Sequence, residues 1–187
     1  MKKNRGFTLI ELIVVIVILG ILAVTAAPRF LSLQNDAHKS RAKGVFAEFT
    51  SGVNLYHAAW LTQGEPSASS GVAVAVEYGD EKIFPSAEGF PLGTTNHQGI
   101  ITGEGCGELW NALLNQDLTI SEYKGDNFIT SSTDIEYWYG SPVTGKPQAC
   151  MYYYTSDITN KNQQGYRLSY FPSTGETIIT TYNKGNK

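Results

Sequence analysis

Hydrophobic positions in this chain follow three successive patterns. From Phe7 to Ala27 the sequence reads FTLIELIVVIVILGILAVTAA, 21 positions in which Glu11 carries the only ionisable side chain. At about 1.5 Å rise per residue, a helix of that length is roughly 30 Å long, the thickness of a bilayer's hydrocarbon core. Past Pro28 the apolar residues thin out but stay periodic. Phe30, Leu33, Ala37, Val45, Phe46, Phe49, Val53, Tyr56 and Trp60 recur at three- and four-residue steps, with Asp36, Lys39, Arg41, Lys43 and Glu48 mostly between them. This is an apolar stripe on a polar helix, predicted to end near Gly64 because Pro66 forbids its continuation.

The third pattern is alternation. IEYWYG, ACMYYYTSD, GYRLSYFP and ETIITTYN, all after Asp134, are rich in aromatic and β-branched residues. The segments Ser141–Pro147, Asn160–Gly165 and Pro172–Gly175 separate them as turns, so an antiparallel meander is predicted. Between the long helix and these strands come a Ser/Gly/Pro-rich connection (Pro66–Gly71), a β-like stretch (Val72–Tyr78) and the turn-rich FPSAEGFPLGTTNHQG. Residues Cys106 to Gln116 read as a short helix with Leu109, Trp110 and Leu113 toward the core. The fold predicted is α+β: a long N-terminal helix, half membrane-spanning and half amphipathic, packed on an antiparallel sheet. Pro28 predicts a kink and Gly20 a weak point in the first half of that helix.

Charge sharpens this picture at the N-terminus. MKKNRG carries Lys2, Lys3 and Arg5 and no acid. Positive charge beside an apolar segment stays on the cytoplasmic side, so the N-terminus faces in and the bulk of the chain out. A carboxylate inside such a segment is costly and needs a partner, which makes Glu11 a functional residue by default. Cutting the Gly6–Phe7 bond creates a new ammonium on Phe7, four residues from Glu11 on the same helix, and an ammonium on a neighbouring copy serves equally.

The block RGFTLIELIVVIVILGILAVTAAP resembles the N-terminal signature of type IV prepilins and of the pseudopilins of type II secretion. Gly6, Phe7, Glu11, Gly20 and Pro28 carry the resemblance. It implies that a prepilin peptidase removes the leader after Gly6 and methylates the new amine of Phe7. It further implies that Glu11 neutralises the amine of an adjacent subunit during assembly, and that the helix between Gly20 and Pro28 loosens in the filament. The expected organisation is then a leader at 1–6, a transmembrane and assembly helix at 7–28, its amphipathic continuation at 29–64 and a globular α+β head at 65–187. APRFLSLQNDA and YGDEKIFPSAEGFP are similar to pilins of the mannose-sensitive haemagglutinin (MSHA) type. An ordinary cleaved secretory signal competes with this reading, but Glu11, the length of the apolar run and Pro28 behind a possible cut oppose it. A plain membrane anchor explains the length and leaves Glu11 unpaired.

Composition excludes several other classes. Without the first six residues, 11 basic residues face 17 acidic ones, a net charge of −6, so the chain has no general attraction for nucleic acid. Cys106 and Cys150 are the only cysteines and fall on the exported side, where an oxidising compartment favours their pairing. No catalytic constellation, cofactor motif or metal-ligand spacing assembles. His38, His57 and His97 stand apart as surface or boundary residues. Asp157, Asn160 and Asn162 sit in a polar loop that misses the calcium-loop spacing, and a solvated turn accounts for them better. The clusters Tyr137-Trp138-Tyr139 and Tyr152-Tyr153-Tyr154 invite a sugar-binding reading, but strand alternation sends about half of them into the core.

Three functions remain: a shaft subunit of an extracellular type IV pilus for surface attachment, a pseudopilin, and a minor tip adhesin. The partners implied are other copies and other pilins, the prepilin peptidase and methyltransferase, and inner-membrane pilus assembly machinery. The precursor is expected as a single-pass inner-membrane protein with its N-terminus cytoplasmic, the mature form in an extracellular pilus.

Overall fold

The computed structural model describes residues 7–66, 74–124, 132–142, 145, 147–156, 158 and 163–183, with the side chains of Leu31 and Asn183 outside that description. Its first element is α1, Leu9–Thr62, a helix that includes both Gly20 and Pro28. It stops where the sequence demands. Gly64 takes a left-handed φ of 85°, which glycine adopts without a Cβ penalty. The freed carbonyls are capped as the backbone reverses: Gln63 N–H donates to Ala59 O at 3.0 Å and Glu65 N–H to Trp60 O at 3.1 Å.

The chain divides into two compact units, residues 1–40 and 41–187. The second unit is the head, and its core is built on the last third of α1. Ala42, Phe46, Phe49, Val53, Tyr56 and Trp60 are buried there, following the three- and four-residue steps of the sequence. Three short strands, β1 (Val76–Tyr78), β2 (Glu81–Pro85) and β3 (Pro91–Gly93), form one antiparallel sheet. Then come α2 (Gly103–Leu113) and a five-stranded sheet ordered β4-β5-β6-β7-β8. Its strands are β4 (Ile120–Glu122), β5 (Ile135–Gly140), β6 (Ala149–Tyr154), β7 (Gln164–Phe171) and β8 (Glu176–Asn183).

The register of the large sheet follows from the alternation. Tyr137 pairs with Tyr152 and Tyr152 with Leu168, one row of a face turned toward the core. Tyr152, Tyr154, Leu168 and Tyr170 are fully buried on it. Phe49 of α1 lies 5.9 Å from the Trp110 ring of α2, 5.0 Å from Tyr152 and 5.6 Å from Tyr170, so four aromatic rings from four elements meet at one point. Buried hydroxyls need acceptors, and three of those here tie two elements together. Tyr56 donates to Ile83 O at 2.9 Å, Tyr152 to Cys106 O at 2.7 Å and Tyr170 to Pro91 O at 2.8 Å. Burial pushes all three phenols up from their ordinary range, so they stay protonated donors.

The structure departs from the sequence reading in four places. The turn-rich stretch around the two Phe-Pro pairs holds strands β2 and β3. The short helix starts at Gly103 rather than Cys106 and ends at Leu113 rather than Gln116. Its Thr102 hydroxyl accepts from Gly105 N–H at 3.0 Å, and that cap sets the start despite the glycines. The sheet is not wholly antiparallel: β4, unforeseen in the sequence, pairs parallel with β5 through Ile120↔Ile135. Finally, β1 begins at Val76, with residues 74 and 75 outside any strand, while residues 72 and 73 lie outside the described residues. The connection at 67–71 lies outside the described residues.

Candidate functional site

The first unit has one conspicuous property: from Phe7 to Arg29 every described side chain is exposed, including Phe7 at 92% and the long apolar run behind it. It is the one helix, among the described residues, long and apolar enough to cross a membrane. An isolated segment of this kind is incompatible with water and calls for lipid or like segments around it.

Thr8, Glu11 and Thr25 all make bonds within the segment. Thr8 precedes the first helical residue, and Glu11 reaches back to it. Thr8 N–H and Thr8 Oγ1 both donate to Glu11 Oε2 at 2.8 Å, and Glu11 N–H donates to Thr8 Oγ1 at 3.3 Å. This is a capping box, in which a Thr and the Glu three positions on satisfy each other's orphan donors. The Thr25 hydroxyl turns onto the backbone, 3.2 Å from Ile21 O and 3.0 Å from Leu22 O. Nothing lies within 4 Å of the place where a Cβ would sit on Gly20, so that glycine leaves one side of the helix bare. Pro28, without an N–H, leaves the Val24 carbonyl without its helical partner.

Phe7, Glu11, Gly20 and Pro28 thus lie on or beside one exposed helix, whereas Gly6 lies outside the described residues. Thr8 escaped the sequence reading, although Thr8-Leu9-Ile10-Glu11 has the spacing of a capping box. Cys106 and Cys150 sit apart from this segment, in the head. They form a disulfide between α2 and β6 with no exposed surface on either residue.

Two carboxylates organise the head. Glu108 accepts from Thr95 N–H at 2.8 Å and Thr95 Oγ1 at 2.5 Å, and its Oε2 lies 3.4 Å from His97 Nε2. His97 lies at the boundary of the head, its side chain nearly buried beside Glu108. No local motif signals a pair brought together by the turn from β3 into α2. Partial burial acts to raise the Glu108 carboxyl; the Thr95 hydroxyl and amide, the His97 charge and the Thr94 amide outweigh it and hold the group below its usual range. Asp134 is similar. Burial opposes its charge, but the Ser156 hydroxyl, the Thr119 amide and hydroxyl, and the Arg41 charge hold it below the carboxylate range.

The other two histidines lie on α1, His38 half-buried and His57 stacked 4.2 Å from Phe90 and 5.3 Å from Trp60. Core packing accounts for Tyr152 and Tyr154, while Trp138 faces outward at 40% exposure beside Tyr123 and Tyr139. Tyr153 also points outward, its ring 5.1 Å from Tyr182 and 5.9 Å from the Arg167 guanidinium. Asp157, Asn160 and Asn162 lie outside the described residues. Among the described residues, no group of three or more His, Cys, Asp or Glu is placed to hold a metal ion.

Known proteins match less than a third of this chain. The prokaryotic N-terminal methylation motif matches residues 1–27. The type IV major pilin protein PilA of Myxococcus xanthus is 54% identical over 41 residues, 22% of this chain and 19% of the relative. The type IV narrow pilus major component PilA5 of Thermus thermophilus is 47% identical over 45 residues, 24% of this chain and 39% of the relative. The type II secretion system core protein G of Pseudomonas aeruginosa is 40% identical over 55 residues, 29% of this chain and 39% of the relative. The chain thus spans well under half the length of these curated relatives. No solved structure matches it significantly. Over its N-terminal helix the chain is type IV pilin-like, and that helix joins an α+β head consistent with a pilin fold.

Proposed function

We propose that this chain is a non-enzymatic structural subunit that polymerises through Phe7–Ala27 into an extracellular type IV filament for surface attachment, in the manner of MSHA pilins. One coincidence carries the reading: residues 9–27, within the stretch that matches the methylation motif, are also an uncovered apolar helix with a single carboxylate near its start. On this reading a peptidase removes residues 1–6 and methylates Phe7. The segment 7–28 first anchors the precursor in the inner membrane and then passes into the filament core. There Glu11 and the Phe7 amine of a neighbouring copy neutralise each other, because an unpaired charge in a dry core is far less stable than the pair. Gly20 and Pro28 supply the points at which the helix loosens. Replacement Glu11→Ala leaves membrane insertion intact and abolishes or sharply reduces filaments; normal piliation of the variant in sheared surface fractions, seen by electron microscopy, contradicts the reading. Gly6→Asp leaves the leader attached, and efficient trimming of that variant by N-terminal mass spectrometry contradicts the assigned cleavage site.

The likeness to the type II secretion core protein G favours a second reading, a pseudopilin in a short periplasmic filament that drives protein export. Deleting the gene separates the two. Loss of long surface fibres with secretion intact supports the pilus, and failed secretion without loss of fibres supports the pseudopilin.

A further inference from the structure

Charge is distributed unevenly along this chain. In residues 29–43, directly after the apolar segment, Arg29, Lys39, Arg41 and Lys43 face a single acid, Asp36, whereas residues 44–187 hold fifteen acids and seven cations. All four early cations are exposed, and none forms an ion pair with another described residue. Only Arg41 acts on an acid of its own head, at longer range on Asp134.

The head shows the opposite imbalance at one place. Glu104, in the first turn of α2, and Glu122, at the end of β4, are both exposed. Glu122 reaches the start of α2, next to Glu104 in the chain: a Cβ on Gly103 would sit 2.9 Å from Glu122 Oε1. Both carboxylates are felt by the Tyr137 hydroxyl, which burial first and then the charges of Glu122, Glu104 and Glu108 push up. No described cation pairs with Glu104 or Glu122. Each patch therefore repels itself within one molecule, and bringing the two together relieves both repulsions at once.

We propose that the basic stretch Arg29–Lys43 is a docking surface for the head of a second copy of this chain, with Lys39 and Lys43 meeting that copy's Glu104 and Glu122. The proposal deepens the filament reading and rests on it. Burying Phe7–Ala27 among copies carries the residues that follow it to the neighbours' heads. Exposed ion pairs are individually weak, so this surface sets register and salt response while the apolar segment supplies the main attraction.

The test is zero-length carbodiimide cross-linking, which joins a lysine to a carboxylate only when the two touch. Full-length light and heavy chains from separate cultures are mixed in detergent and reconstituted together into vesicles, and the cross-linked peptides are read by mass spectrometry. Mixed light–heavy links from Lys39 or Lys43 to Glu104 or Glu122 are expected. They should fall roughly tenfold between low salt and about 0.5 M NaCl, as the Debye length shrinks below about 5 Å. The variant Lys39→Glu/Lys43→Glu lowers filament yield, and adding Glu104→Lys/Glu122→Lys to it restores the yield. Links found only within one chain, or filaments indifferent to the charge reversal, overturn the proposal and leave the basic stretch to the anionic headgroups beside the membrane segment. The Glu11→Ala control separates this failure from that of the filament reading: filaments without mixed links sink the docking surface alone, and mixed links with Glu11-independent assembly sink the reading of Glu11 alone.

Discussion

Removing the Cys106–Cys150 bridge isolates one large contribution to the head's stability. The two cysteines are 44 residues apart, and closing a loop of that length in the unfolded chain corresponds to about 4 kcal/mol at 25 °C. Replacing both by alanine leaves a small void on each side of the core, adding about 1 kcal/mol at most. A head of this size has a stability of about 5–15 kcal/mol, so the double variant gives up about a quarter of it or more. The assay is guanidinium unfolding of the purified full-length protein in detergent, followed by tryptophan fluorescence. Trp110 is a suitable reporter because its ring lies 5.0 Å from Tyr152, on the strand that carries Cys150. With a denaturant slope of about 2–6 kcal/mol per molar, the midpoint falls by about 1 M. A fall of less than about 0.3 M, well under what that slope implies, refutes the reasoning. So does reduction of the native protein without denaturant, because neither residue exposes any surface to a reductant.

Other expected outcomes follow from the same contacts. Trp110→Ala removes the ring packed against Phe46, Phe49 and Tyr152 and costs about 3–5 kcal/mol in the same unfolding assay. Gly175→Ala costs at least about 2 kcal/mol, because φ is 72° there and the new methyl meets the Phe90 ring; a neutral result shows that the β7–β8 turn and Phe90 can yield. Glu108 and Asp134 are held below their unfolded carboxyl range, so their contribution is present above an unfolded pKa of about 4 and is lost as pH falls through their lower folded values. Stability therefore declines below about pH 4, and a Glu108→Gln/Asp134→Asn variant shows a shallower decline when unfolding midpoints are compared between pH 2 and 7.

Elements with a strong period were legible in the sequence. The stripe from Val45 to Trp60 is the buried face of α1, and IEYWYG corresponds to β5 residue for residue. Gly64 stopped the helix as a left-handed residue should. What escaped was short or held by partners distant in sequence. Strands β3 and β4 have three residues each, too few to show an alternation, and the partner of β4 lies across the 123–134 stretch. The glycines in GEGCG masked the start of α2, which Thr102 fixes by a side-chain bond that helix propensity does not register. Within the exposed helix, Glu11, Gly20 and Pro28 stand out by residue type alone, because a charge, a glycine and a proline are conspicuous in an apolar run. Thr8 was passed over because a hydroxyl there resembles its apolar neighbours in size. The His97–Glu108 pair was invisible because only the turn between β3 and α2 brings the two together.

On the filament reading proposed above, the reciprocal bonding of Thr8 and Glu11 has a consequence for how one copy would join another. Both donors from Thr8 land on the same carboxylate oxygen, Oε2. Its twin, Oε1, takes no hydrogen bond among the described residues and keeps its lone pairs for a visitor. If that reading holds, an arriving ammonium would dock on the free side while the helix keeps its own first turn fastened, and recruitment would require no unravelling of the recruiter.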